Sequence, residues 1–179
     1  LTVKPKFMEK VHNLTSAQKG TLIHLCLQKL DEKKEYTRED IQELIETLCK
    51  KNIISEIEAQ NIDIDLLFRY TKSELWKDLK EAKEIHKEEP FYINIPASKI
   101  YDEAEEKEMI LVQGIIDLHY INKEGKLILI DYKTDYVPNG DASKLEEKYK
   151  VQLELYKEAL ENSTGLKVDK AMIWALNNK

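Results

Sequence analysis

From Thr15 to about His86 apolar residues recur three and four positions apart and no proline interrupts them, which predicts an all-helical half. Leu22, Ile23, Cys26, Leu27 and Leu30 make the stripe of a first helix, with Thr15 and Gln18 spaced as a capping box. Thr37 and Asp40 open a second helix around Ile41, Leu44, Ile45 and Leu48. Ser55 and Glu58 open a third, and Ser73 starts a fourth around Leu75, Trp76 and Leu79. The Glu and Lys residues opposite these stripes read as solvated faces.

At Pro90 the period changes. Phe91 to Ile95, Met109 to Ile121 and Lys126 to Tyr136 are rich in Ile, Val, Leu and Tyr at strand length, so three strands are expected, the last two as a hairpin. The acidic stretch from Tyr101 to Glu108 reads as a surface excursion. Pro138, Asn139 and Gly140 mark a turn into a helix from about Ser143 to Asn162, ended near Gly165, and Lys170 to Leu176 is a final strand. Helices followed by β-β-β-α-β predict an α/β or α+β sheet behind a helical subdomain, with 1–88 as the helical part and 89–179 as the core.

The length of 179 residues suits one domain with an appended subdomain. Lys and Arg number 28 against 34 Asp and Glu, a net charge of −6, which excludes a polybasic nucleic-acid binder. A hydrophobic share of 42% excludes disorder. The two cysteines, Cys26 and Cys49, supply neither a zinc knuckle, a cysteine-held iron-sulfur cluster nor a disulfide framework, and they suggest a reducing, cytoplasmic setting. Apolar runs fall far short of the ~18 residues that span a bilayer, so no membrane association is expected. The absence of an initiator Met before Leu1 raises the expectation that the chain is cut from a longer polypeptide.

The chemistry gathers on the hairpin. Asn122-Lys123-Glu124-Gly125 is the turn signal between two strong strands, and a three-residue loop from Lys123 to Gly125 pairs Asn122 with Lys126 and sets Asp117 against Asp131. Strand alternation puts Asp131, Lys133 and Asp135 on one face. Facing carboxylates repel unless a cation lies between them, and oxygen donors of this kind suit a hard divalent metal such as Mg²⁺. Lys133 can hold an attacking water and balance charge on a phosphate. A solvated ion network is the ordinary reading of such a trio, but both acids end apolar runs, Leu127 to Ile130 and Gly114 to Ile116, where an unpaired charge is costly. Gln152 and Tyr156 lie one helical turn apart on the following helix. His24 reads as a core or boundary residue of the first helix, or as a metal ligand, and Glu88 as a helix-end carboxylate.

Taken together, Gly20-Thr21 with His24, Glu88 with Pro90-Phe91, Gly114-Ile115-Ile116-Asp117, Asp131-Tyr132-Lys133-Thr134-Asp135, and Gln152 with Tyr156 resemble the RecB-like branch of the PD-(D/E)XK nucleases. The likeness is greatest to the C-terminal nuclease domains of its AddA-type members and runs from about Pro5 to Leu176. It implies a restriction-endonuclease-like core with a mixed sheet flanked by helices, and a Mg²⁺-dependent deoxyribonuclease in which Mn²⁺ substitutes. Asp117 and Asp131 would hold the metal with the Tyr132 backbone carbonyl, and Lys133 would position the water. His24 would be a further ligand or neighbour, and Gln152, Tyr156 and Glu88 would support the site or contact DNA. The middle acid is Asp131 where Glu is common, and Ile116 stands in the place of the family's Pro. The partners that the resemblance implies are DNA, the helicase region of the same polypeptide and an AddB-type subunit, in repair of double-strand breaks by recombination, without an iron-sulfur cluster. The alternative is a nuclease-fold domain that no longer cuts and serves as a docking surface for DNA or a partner subunit.

Overall fold

In the computed structural model, which describes residues 14–101, 107–135 and 143–177, three reciprocal capping boxes start the first three helices where the sequence spacing puts them. The chain forms two compact units that divide between Ser73 and Glu74. In the first unit α1 (Ser16–Lys29) buries Leu22, Ile23, Cys26 and Leu27, and α2 (Arg38–Lys50) buries Ile41, Ile45 and Leu48. A short α3 (Glu56–Gln60) follows. Next comes α4 (Ile64–Tyr70), which the periodicity does not predict. Its apolar stripe is only Leu66, Leu67 and Tyr70, too brief to show a period, and its start depends on the Asp63 carboxylate accepting the Leu66 N–H. Arg38 ties α2 to α4 through Asp65, at 2.6 Å, and through the face of the Phe68 ring.

The second unit opens with α5 (Glu74–Glu81), which buries Leu75, Trp76 and Leu79. Strand β1 (Glu84–Pro96) begins at Glu84, not at Phe91, so the helical reading up to His86 is corrected. The run Glu84 to Glu89 carries charges on both faces, which hides its alternation. An edge strand tolerates such charges, and it tolerates Pro90 for the same reason, since part of its backbone has no ladder partner. Strands β2 (Met109–Ile121), β3 (Leu127–Lys133) and β4 (Val168–Ala175) complete a sheet of order β1-β2-β3-β4. The first two pairings are antiparallel and β3 to β4 is parallel, giving the expected mixed sheet.

Parallel neighbours need a crossover, and α6 (Ser143–Thr164) supplies it, ending at Gly165 with φ 70°. Its apolar stripe packs Ala159 and Leu160 onto Phe91, Ile93, Ile95, Ile116, Leu127 and Leu129, while Leu145, Tyr149 and Leu153 gather around Ile173. β3 ends at Lys133, so the strand expected to run to Tyr136 is shorter, with Thr134 and Asp135 beyond its last rung, Lys133 with Ala175. Tyr136, the turn at 138–140 and most of the acidic excursion lie outside the described residues. Among the described residues no helix is long and apolar enough to cross a membrane.

Candidate active site

The β2–β3 register is pinned by its turn. Asn122 Oδ1 accepts the N–H groups of Glu124 and Lys126, at 3.1 and 2.9 Å, and Gly125 takes φ 85°, a conformation open to glycine without a Cβ clash. The Asn122 N–H donates to the Lys126 carbonyl at 3.0 Å, as expected from the loop length. From there the ladder runs through Ile121 with Leu127 to Leu118 with Ile130 and stops. Its next step would pair Asp117 with Asp131. Instead β2 continues alongside β1, and β3 continues alongside β4 as far as Lys133 with Ala175. Where the two strands part, Asp117 Oδ2 accepts the Tyr132 N–H at 2.7 Å. The N–H and C=O of a strand residue point to the same edge, so the Tyr132 carbonyl is directed into this opening too.

Asp131 continues the alternation of Leu127 and Leu129 on the face that α6 covers, and it is 2% exposed. Lys133, the next residue on that face, brings Nζ to 2.6 Å from Asp131 Oδ2. The same Nζ lies 4.4 Å from the centre of the Tyr149 ring, projected from α6. The Tyr149 hydroxyl donates to the Asp135 carboxylate, which also takes a hydrogen bond from Lys148 Nζ at 3.1 Å. Burial opposes ionisation of Asp135, but Lys148 and Tyr149 outweigh it and hold the carboxyl below its usual range. Asp131, Lys133 and Asp135 thus share one side, as the alternation predicts.

Gln152 and Tyr156 project from α6 one turn further along, and Gln152 Nε2 donates to the Tyr156 hydroxyl at 2.8 Å. The Tyr156 ring meets Phe91 edge to face, with centroids 5.0 Å apart. Gly114 lies beneath both: a Cβ there would come within 2.7 Å of the Phe91 ring and 3.4 Å of Tyr156. The glycine of the Gly114–Asp117 motif and the Phe of the Pro90–Phe91 motif therefore seat the tyrosine. Burial, then the fields of Asp131 and Asp117, push the Tyr156 phenol up, while Gln152 and Lys133 oppose the shift. The phenol stays protonated and available as a donor.

Glu88 takes φ 53° on β1, at the register position opposite Asp117 that the ladder skips. His24 lies on α1 of the first unit and is half-buried. Tyr149 is the residue that sequence reasoning missed. Its signal was its place in the apolar stripe of α6, one turn before Gln152 and Leu153.

The donors at the opening are oxygens: two carboxylates at most 9% exposed and a backbone carbonyl, with Lys133 as the adjacent cation. Two negative charges against one positive leave an excess that a divalent cation would offset, so the set fits a hard metal ion.

The sequence profile described as the PD-(D/E)XK nuclease superfamily matches residues 4–179. An ATP-dependent helicase/nuclease subunit from Thermoanaerobacter sp. (strain X514) is 41% identical over 177 residues, 97% of this chain and 14% of that protein. Proteins of the same name from Acetivibrio thermocellus and Alkaliphilus oremlandii are 40% and 39% identical over 178 residues, again 97% of this chain and 14% and 15% of theirs. The chain spans about 14% of the length of these relatives.

Proposed function

The chain belongs to the PD-(D/E)XK nuclease superfamily, and on that premise we propose that it is the DNA-cutting domain of a larger helicase-nuclease polypeptide, hydrolysing phosphodiester bonds at Asp117, Asp131 and Lys133. The observation that carries this reading is the interrupted β2–β3 ladder, where Asp117 is bonded to the peptide that follows Asp131 and Lys133 is paired to Asp131. Nucleases of this superfamily use divalent metals. Here Mg²⁺, with Mn²⁺ as a substitute, would be held by Asp117, Asp131 and the Tyr132 carbonyl and would act as a Lewis acid toward the phosphate.

The chain's own groups supply the rest. Lys133 donates a hydrogen bond to the attacking water and balances the negative charge that builds on phosphorus. Tyr149 and Asp131 hold that ammonium in place. The Tyr156 hydroxyl, oriented by Gln152, is a neutral donor for a phosphate oxygen of the strand. Water attacks in line, its proton passes to solvent, and the bond from phosphorus to the 3′-oxygen breaks, that oxygen taking a proton from solvent to become the 3′-hydroxyl and the phosphate staying on the 5′ side. Glu88, at the register position opposite Asp117, belongs to this proposal as a supporting acid, and His24, on the sequence resemblance, as a metal ligand. An acidic chain of net charge −6 binds DNA weakly by itself, so delivery of the strand falls to the helicase region of the polypeptide and to an AddB-type subunit, in cytoplasmic repair of double-strand breaks.

The test is degradation of linear single-stranded DNA by the purified chain with Mg²⁺ or Mn²⁺. EDTA, Asp117→Ala and Lys133→Ala are each expected to abolish it. Full activity in either variant removes the assignment. A wild-type chain that binds metal and DNA yet never cuts replaces this reading with the docking one.

A further inference from the structure

A second group of metal-competent side chains lies on the β1–β2 ribbon. His86 and His119 are register partners, so their side chains rise from one face, and their rings stack with centroids 4.6 Å apart and planes 8° from parallel. Alternation would send Glu89 to the opposite face from His86. The left-handed backbone of Glu88 breaks that alternation and brings the Glu89 carboxylate over both rings. Glu89 Oε2 lies 2.5 Å from His119 Nε2 and 3.7 Å from His86 Nδ1. The three ligand atoms all fall within 4.8 Å of one another. His119 is 3% exposed, and its Nδ1 has no hydrogen-bond partner among the described residues. The polar contact that this ring makes is through Nε2, the atom that faces Glu89.

We propose that His86, Glu89 and His119 form a second metal site, one for a divalent transition metal of the zinc class. Two imidazoles and one carboxylate are a borderline donor set that favours Zn²⁺, Co²⁺, Ni²⁺ or Cu²⁺ over Mg²⁺, whereas Asp117, Asp131 and the Tyr132 carbonyl offer oxygen alone. Parallel rings cannot both aim their in-plane lone pairs at one ion. His86, whose side chain is 48% exposed, turns to meet the metal, while the buried His119 and the anchored strand keep their places. Three protein ligands leave a fourth position for water. A metal on Nε2 moves the ring proton of His119 to Nδ1, where the usual acceptor is missing. That deficit weakens binding by roughly ten- to a hundredfold and sets the expected dissociation constant in the micromolar range.

The experiment is Co²⁺ titration of the purified chain by visible absorption, with Zn²⁺ competition. One equivalent of Co²⁺ is expected to give the intense bands of a four-coordinate site, which Zn²⁺ displaces and excess Mg²⁺ does not. His86→Asn is exposed and should fold normally, and it is expected to lose at least tenfold in affinity, as is Glu89→Gln. Asp131→Asn, which disables the oxygen-only site, is expected to keep the bands. Zn²⁺ at a hundredfold excess over the wild-type dissociation constant should raise the melting temperature of the wild type by several degrees and that of His86→Asn by about half as much or less. Absence of four-coordinate bands in the wild type, bands unchanged in both His86→Asn and Glu89→Gln, or bands lost in Asp131→Asn would each overturn the proposal.

Discussion

Lys133 rests its ammonium 4.4 Å from the centre of the Tyr149 ring, with the Asp131 carboxylate 2.6 Å away. One contact holds the cation over a π-face, the other is a directional ion pair, and together they leave the lysine little freedom. A residue that acts by holding another should affect turnover more than affinity. Tyr149→Leu is expected to lower kcat about 5- to 20-fold with KM for DNA nearly unchanged. Tyr149→Phe, which keeps the ring and loses only the bond to Asp135, should retain most of the rate. Steady-state kinetics of both variants separates this positioning role from a general loss of structure.

Asp131→Asn tests the metal. The amide keeps the shape of the carboxylate and removes its charge, so the far-UV circular dichroism should match the wild type while Mn²⁺ binding, followed by calorimetry, disappears and DNA cleavage falls at least a hundredfold. Unchanged Mn²⁺ binding would remove Asp131 from the ligand set.

Gly114→Ala tests the seat of Tyr156. The new methyl would stand 2.7 and 2.8 Å from two carbons of the Phe91 ring, a clash relieved only by moving that ring and with it the edge-to-face partner. Overpacking of this kind costs about 1–3 kcal/mol in urea unfolding. Nuclease activity should fall by more than the folded fraction does, because Tyr156 shifts with Phe91.

Cys26 provides the pH dependence. Burial pushes its thiol up to about 12, against about 8.5 for an ordinary cysteine. A folded value raised above the unfolded one contributes stability that is complete below about pH 8.5 and is lost as pH rises toward 12. Between pH 8.5 and 10.5 the wild type should lose roughly 2–3 kcal/mol from this group, and Cys26→Ala should be free of that part of the slope. Urea midpoints of the two proteins at several pH values give the difference directly. In the native protein at pH 8, alkylation should modify the half-buried Cys49 and spare Cys26.

Local chemistry made most of this architecture readable from the chain. Thr15 with Gln18, Thr37 with Asp40 and Ser55 with Glu58 are reciprocal hydrogen-bonding pairs at fixed spacing, so each announces a helix start without help from distant residues. Asn122 and Gly125 did the same for the hairpin, and because a turn fixes register, the rung at which Asp117 and Asp131 would meet could be counted from residue order, although the ladder stops one pair short of it, at Leu118 with Ile130. What escaped depends on neighbours remote in sequence. The start of β1 at Glu84 follows from pairing with Ile121, and its charged residues show no period of their own. The grouping of His86, Glu89 and His119 needs both that pairing and the left-handed turn at Glu88, which nothing in the residue type announces. Tyr149 hid because a tyrosine in an apolar stripe looks like packing until the lysine beneath it is seen.

The parting of β2 and β3 after Leu118 and Ile130 means that the candidate cleft is cut into the sheet by omission, as a zip left partly undone. One more rung would add backbone hydrogen bonds and a firmer protein, and it would also close the notch in which an ion could lodge. Substitutions that draw the two strands together are therefore expected to yield a sturdier but silent enzyme, a trade in which rigidity is gained at the expense of the reaction.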